Sequence, residues 1–138
     1  MSNEFVDTSD FERGLRDYER KFKAAGEAAL AKAGLHLLGV ATQDAPVKEG
    51  TLRGSGSVIV NGKSIATSAG SGKGGTPAST DSERGVVVGF NVPYAAKQDQ
   101  DPNLHHPKGG KAGYLSENFN SNWKLYRKWY KDAISGIK

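Results

Sequence analysis

Four groups of residues in this 138-residue chain have types and spacings that could do chemistry. Gly72-Lys73 sits in glycine-rich surroundings and invites a phosphate-loop reading, in which backbone N–H groups and a lysine cradle phosphates. That motif needs G-x-x-x-x-G-K-[ST], whereas position 67 is Thr and position 74 is Gly. The first glycine and the magnesium-binding hydroxyl are both missing, and no helical pattern follows to offer its N-terminus to phosphate. Asp99, Asp101 and Asn103 open like a calcium loop. The glycine and bidentate glutamate such a loop needs at its sixth and twelfth positions are Leu104 and Gly110 here. His105-His106 would ligate a transition metal only if carboxylates such as Asp99 or Asp101 completed the site, and neighbouring histidines usually point apart. Serines are plentiful, yet none sits in a G-x-S-x-G nucleophile elbow, and Gly54-Ser55-Gly56 lacks that spacing. With no cysteine, thiol catalysis, disulfides and zinc–thiolate sites drop out together. The expectation is a protein that is not an enzyme, with no catalytic, cofactor-binding or metal-binding residue. A hydrolase using His105 or His106 is the catalytic alternative.

A fifth grouping suggests binding instead. Trp123, Tyr126, Trp129 and Tyr130 are interleaved with Lys124, Arg127, Lys128 and Lys131. Stacking on single-stranded nucleic acid would need these rings exposed. At helical spacing, Trp123, Tyr126 and Tyr130 are expected to form core, with the cations on the solvated face. Trp129 falls off that stripe and is expected to meet a partner.

The elements that position these residues can be read from periodicity. Ser9-Asp10-Phe11-Glu12 has capping-box spacing. From there Phe11, Leu15, Tyr18, Phe22, Ala25 and Ala29 recur at alternating steps of four and three, a helical stripe. A second stripe, Ala28, Ala31, Leu35 and Leu38, carries the pattern to about Gln43. Gly26 and Gly34 each cost a helix about 1 kcal/mol against alanine, and a kink or break is expected near Gly26. Asp44-Ala45-Pro46 ends the segment, because proline disfavours helical geometry before itself. Ser55 to Asn61 reads as a strand, Asn61-Gly62 as a hairpin turn, and Lys63 to Ser68 as the partner strand. Gly85 to Asn91 is a further strand, and Pro93 to about Gln98 begins a short helix. Tyr114, Leu115, Phe119, Trp123, Tyr126, Tyr130 and Ile134 mark an amphipathic C-terminal helix. The fold class is α+β: a small antiparallel sheet, a hairpin plus one further strand, packed by a long N-terminal helix and the C-terminal helix.

Composition fits one domain over residues 1–138. Glycine supplies 18 positions, about twice the usual share of ~7%. It gathers in a stretch at about 68–84 with almost nothing apolar, expected to be a mobile loop, and in Gly109 to Gly113. The net charge of +4 divides into −2 over residues 1–50, +1 over 51–104 and +5 over 105–138. No window is long and apolar enough to span a membrane. The acidic opening residues carry no apolar stretch of the kind a signal peptide has.

Two segments together are more specific than any single site. The first is Ala45-Pro46-Val47-Lys48-Glu49-Gly50-Thr51-Leu52-Arg53-Gly54-Ser55. The second is Val87-Val88-Gly89-Phe90-Asn91-Val92-Pro93-Tyr94-Ala95-Ala96, followed by His105-His106-Pro107 and Lys111-Ala112-Gly113-Tyr114-Leu115-Ser116-Glu117. Over residues 25–125 this ordered set resembles the neck and tail-completion proteins of long-tailed bacteriophages, also called head–tail joining, tail terminator or minor capsid proteins. Their pattern is a helix, A-P-v-x-x-G-x-L-[RK]-x-S, a hairpin, v-G-x-x-x-P-Y-A, and K-Y-L-E opening the last helix. The chain departs from it at Lys48-Glu49 and at Ala96-Lys97-Gln98-Asp99.

The resemblance implies structural roles for Pro46, Gly50, Leu52, Arg53, Pro93, Tyr94, Tyr114 and Leu115. It implies a ring homo-oligomer, a hexamer or dodecamer, at the head–tail junction of a virion made in the bacterial cytoplasm. Head-completion or portal-side proteins and tail-tube proteins would adjoin it, and packaged double-stranded DNA would pass through with transient, non-specific contact. Gly70, Lys73, Thr76, Pro77, Asp81 and Arg84 would lie on a loop facing the lumen or a neighbour. No cofactor and no membrane enter this reading. The alternative is a small basic nucleic-acid-binding protein using the C-terminal helix.

Overall fold

One helix sets the architecture. In the computed structural model, which describes residues 7–46, 50–69, 85–92, 95–101 and 110–137, α1 runs unbroken from Ser9 to Asp44. Its 36 residues span about 54 Å at ~1.5 Å per residue. The expected break at Gly26 does not occur. A Cβ at Gly26 would sit 3.5 Å from the Tyr130 ring, and one at Gly34 would lie 2.5 Å from Val58 Cγ1. Gly34 therefore admits the sheet to the helix surface, and that close packing offsets a propensity cost of about 1 kcal/mol, whereas at Gly26 the Tyr130 ring stands at ordinary contact distance.

The cap also differs from its expected form. The helix begins at Ser9 itself, after Thr8, whose carbonyl accepts the Glu12 N–H at 2.9 Å. Asp7 takes both the Ser9 amide and its hydroxyl, so Ser9 is engaged and does not close a capping box with Glu12. The Ser9 hydroxyl, and then its amide, hold the Asp7 carboxyl below its usual range. At the other end Ala45 is extended (ψ 139°), as the following Pro46 requires.

A 3₁₀ turn, Arg53–Ser55, leads into β1 (Gly56–Val60). Asn61 (φ 49°) and Gly62 (φ 81°) then form the two-residue hairpin turn to β2 (Lys63–Thr67). Positive φ at both positions suits an asparagine followed by glycine and matches the right-handed strand twist. The Asn61 side chain fastens the turn, donating to Glu27 on α1 at 3.0 Å and accepting from the Gly85 N–H at 2.9 Å. β3 (Val86–Phe90) pairs with the other side of β1, so the antiparallel order is β2-β1-β3. β1 is buried throughout, with Val58 opposite both Ala66 and Val88.

Two further helices follow, α2 (Ala95–Gln100) and α3 (Ser116–Ser135). α3 runs antiparallel to α1. Asn118 bonds Asp44 at one end, Tyr126 meets His36 midway, and Tyr130 covers Gly26 near the other. The chain is thus α+β, with α1 packed against both the sheet and α3. Among the described residues no helix is long and apolar enough to cross a membrane.

Candidate interaction surface

Six of the eight motif residues are described, and they converge at the C-terminal end of α1. Leu52 and Tyr114, each 1% exposed, form a cluster with Ala41, Ala45 and Ala95, with Phe90 and Leu115 packed against it. Arg53 donates to the carbonyls of Ala45 (2.8 Å) and Gln43 (3.0 Å). It thereby places a cation where the helix dipole ends in orphan carbonyls. Gly50 has φ 80°, a backbone that favours glycine. The Tyr114 hydroxyl donates to the Ala95 carbonyl at 3.0 Å, and its ring meets Phe90 edge-on. Pro93 and Tyr94 lie outside the described residues.

The second glycine patch belongs to this clasp. Gly110 has φ 88°, and a Cβ there would run into the backbone of Ala45 and Pro46. Only glycine lets the chain pass so close, and Lys111 N–H then reaches the Asp44 carbonyl at 2.9 Å. Asp99, weighed above as a calcium ligand, serves a structural end. It is nearly buried, and its Oδ1 accepts the N–H groups of Leu115 (2.9 Å) and Ser116 (3.1 Å). It therefore satisfies orphan donors at the start of α3. No group of three potential metal ligands occurs among the described residues. Asn103, His105 and His106 lie outside them.

Midway along the α1–α3 seam, His36 Nδ1 and the Tyr126 hydroxyl are hydrogen-bonded at 2.8 Å. Trp129 packs edge-on against His36 and at a tilt against Tyr126, with Lys32 Nζ 4.2 Å from its ring centre. Burial pushes the Tyr126 phenol above its usual value. The bond ties the two helices together at the middle of the seam.

The exposed apolar surface departs most from the sequence expectation. Trp123 (52% exposed) and Tyr130 were expected in the core; both are exposed, together with Phe119. Tyr126 alone of α3 is buried, and Trp129, expected to face outward, is half-buried beside it. The cause is directional: α1 covers the Tyr126–Trp129 flank of α3 and touches Tyr130 at Gly26, and it leaves Phe119, Trp123 and the outer edge of Tyr130 open. That open flank borders a groove of about 760 Å³, walled by Ala29, Leu30, Val86, Trp123, Tyr130 and Ile134 and edged by Arg127 and Lys131.

The first part of α1 is exposed as well. Phe11 (67% exposed), Leu15, Tyr18 and Phe22 form a bare stripe on an arm that runs past the end of α3. Sequence periodicity found the stripe without fixing which part of it a neighbour would cover. The signal that distinguishes it was present: only bulky residues in the stripe up to Phe22, then mostly alanine and glycine, joined by leucines, from Ala24 onward. Gly70, Lys73, Thr76, Pro77, Asp81 and Arg84 lie outside the described residues, as does the rest of 70–84. No family model matches the chain, and no curated protein or solved structure is similar enough to match it.

Proposed function

We propose that this chain is a structural virion protein that forms a ring at the head–tail junction of a long-tailed bacteriophage, completing the neck or the tail, with double-stranded DNA passing through. The observation that carries the reading is the ordered motif set. Ala45-Pro46, Gly50, Leu52-Arg53 and Tyr114-Leu115 meet in one clasp that joins helix end, sheet and last helix. These residues fix a shape and present no reactive group to a substrate. Portal-side, head-completion and tail-tube proteins would be its neighbours, and contact with the passing DNA would be transient, since a channel must let DNA slide. Electron microscopy of virions tests this directly. Density for the chain in a ring between portal and tail tube is expected; a virion lacking the protein overturns the proposal.

One observation favours a second reading, a nucleic-acid-binding protein. Trp123 and Tyr130 are exposed beside Lys124, Arg127, Lys128 and Lys131, the combination that stacks bases and tracks phosphates. Tight DNA binding by the monomer, falling steeply with salt and lost in Lys124→Ala/Arg127→Ala/Lys128→Ala, would establish it. Binding that survives that triple substitution would remove it.

A further inference from the structure

Two apolar surfaces of this chain are exposed; their lengths match, and one acidic edge of the first is opposite in sign to the rim of the second. The arm from Ser9 to Phe22 is about 21 Å long and carries Phe11, Leu15, Tyr18 and Phe22 in one line. The open flank of α3 from Phe119 to Ile134 runs about 24 Å beside the α1–α3 groove. At 3.6 residues per turn, Glu12 and Glu19 border the arm's stripe on one edge. Among the described residues neither forms an ion pair, whereas Asp10 and Asp17 pair within the arm with Arg13 and Arg20. The groove has the opposite sign on its rim, where Arg127 and Lys131 stand along the edge of the aromatic flank.

The arm cannot enter its own groove, because α1 is a continuous helix and carries the arm away beyond the Gly26 level. Residues 70–84 are poor filler by composition, with Pro77 and Ala78 their only apolar side chains. A second copy supplies both the bulk and the charge. We propose that residues Ser9–Phe22 of one copy lie in the α1–α3 groove of a second copy. Phe11, Leu15, Tyr18 and Phe22 then pack on Trp123, Tyr130 and Ile134, and Glu12 and Glu19 face Arg127 and Lys131. Arm and groove are different surfaces, so each copy offers one of each, and the contact is heterologous: it closes into rings or runs on as filaments. The contact rests on the ring reading for closure alone.

Sedimentation velocity of the full chain over a concentration series, with one variant for each half of the contact, tests this. Leu15→Asp/Phe22→Asp disables the arm, and Arg127→Glu/Lys131→Glu the groove. Each alone is expected to weaken self-association by roughly 100-fold or more. Circular dichroism should stay near native for the arm variant, and its monomer should lose no more stability than the helix-propensity cost of two aspartates, about 1 kcal/mol in all, because the altered residues are exposed. Mixed together, the two should form a heterodimer, because each retains the half the other lost. Reversing Glu12 and Glu19 to arginine in the groove variant should restore association.

The proposal is overturned if the native chain stays monomeric throughout, if the arm variant associates as before, or if the mixture stays monomeric. It falls equally if Leu15→Asp destabilises a monomer by the about 2–5 kcal/mol typical of a packed leucine, well beyond its helix-propensity cost, which would mean the arm folds back on its own groove. A monomer whose Trp123 fluorescence responds to added DNA would reassign the groove to nucleic acid. Negative-stain images separate this proposal from the ring reading. Filaments or reciprocal dimers with the same mutational pattern keep the contact and sink the ring. Rings that survive Leu15→Asp/Phe22→Asp keep the ring and sink the contact.

Discussion

The two halves of α1 carry the same kind of periodic apolar stripe and meet opposite fates. From Gly26 to Ala41 the inward positions are Gly26, Ala29, Ala33, Gly34, Leu37, Leu38 and Ala41, all buried between sheet and α3. From Phe11 to Phe22 they are larger and more hydrophobic, and all are exposed. Burial here follows what stands opposite a residue, more than how apolar the residue is. Small side chains let α3 and β1 approach the helix axis closely, since interaxial distance is set by the side chains at the contact. Bulky ones would hold such neighbours off, but they suit filling a groove on another surface. One half of the helix is shaped to be approached and the other to insert.

The largest effects are expected where the buried half meets the clasp. Tyr114→Ala and Leu52→Ala each remove a side chain that is 1% exposed, and each should cost about 2–5 kcal/mol. Urea unfolding of the two variants reads this as a lower midpoint at unchanged slope. Losses near those of the arm substitution considered last would erase the contrast between the halves.

A single type of substitution should change sign between them. Gly34→Ala places a Cβ 2.5 Å from Val58 and 2.8 Å from Val86, overpacking expected to cost about 1–3 kcal/mol. Gly14 on the arm has nothing within 4 Å of its notional Cβ, so Gly14→Ala should stabilise by up to about 1 kcal/mol through helix propensity. Thermal melts of both variants check this. Equal signs would mean that the arm is packed in solution.

Tyr126 tests the seam at smaller amplitude. Burial raises its phenol above the usual value near 10, so the unfolded chain loses that proton first as pH rises. The folded state then binds more protons, and stability must fall with pH from about 10 upward. Tyr126→Phe should flatten that slope in pH-dependent unfolding, and should cost about 1 kcal/mol at neutral pH through the lost bond to His36. An unchanged alkaline slope would place its origin elsewhere.

What the sequence made legible was local. Asn61-Gly62 declared its turn because positive φ at two successive residues leaves few other choices, and Pro46 ended α1 at Asp44 by forcing Ala45 into an extended conformation. Leu52 and Tyr114 were read as structural and are buried. What stayed hidden depended on partners distant in the chain. Gly26 looked like a break until Tyr130 was placed over it. Asp99 looked like half of a metal loop until Leu115 and Ser116 brought their N–H groups to it. Trp123 and Trp129 exchanged expected places because periodicity gives the line of a stripe but not which edge a neighbour will cover.

The smallest expected effect falls on the arm, and it bears most directly on the comparison. Leu15→Ala removes an exposed side chain and should move global unfolding of the monomer by no more than about 0.5 kcal/mol. An isolated helix shorter than ~12–15 residues is marginal in water, so a 14-residue arm without tertiary cover should be held mainly by the packed half it extends. Amide hydrogen exchange in dilute protein should therefore show protection decaying from Ala25 toward Ser9, with Leu15→Ala steepening the decay while Leu37 and Leu38 keep native protection. Raising the concentration should restore protection to the arm alone, because insertion into a second copy removes water from Phe11 to Phe22 and from nothing in the core. Uniform protection along α1 at every concentration would mean that its two halves do not differ in solution as their burial says they must.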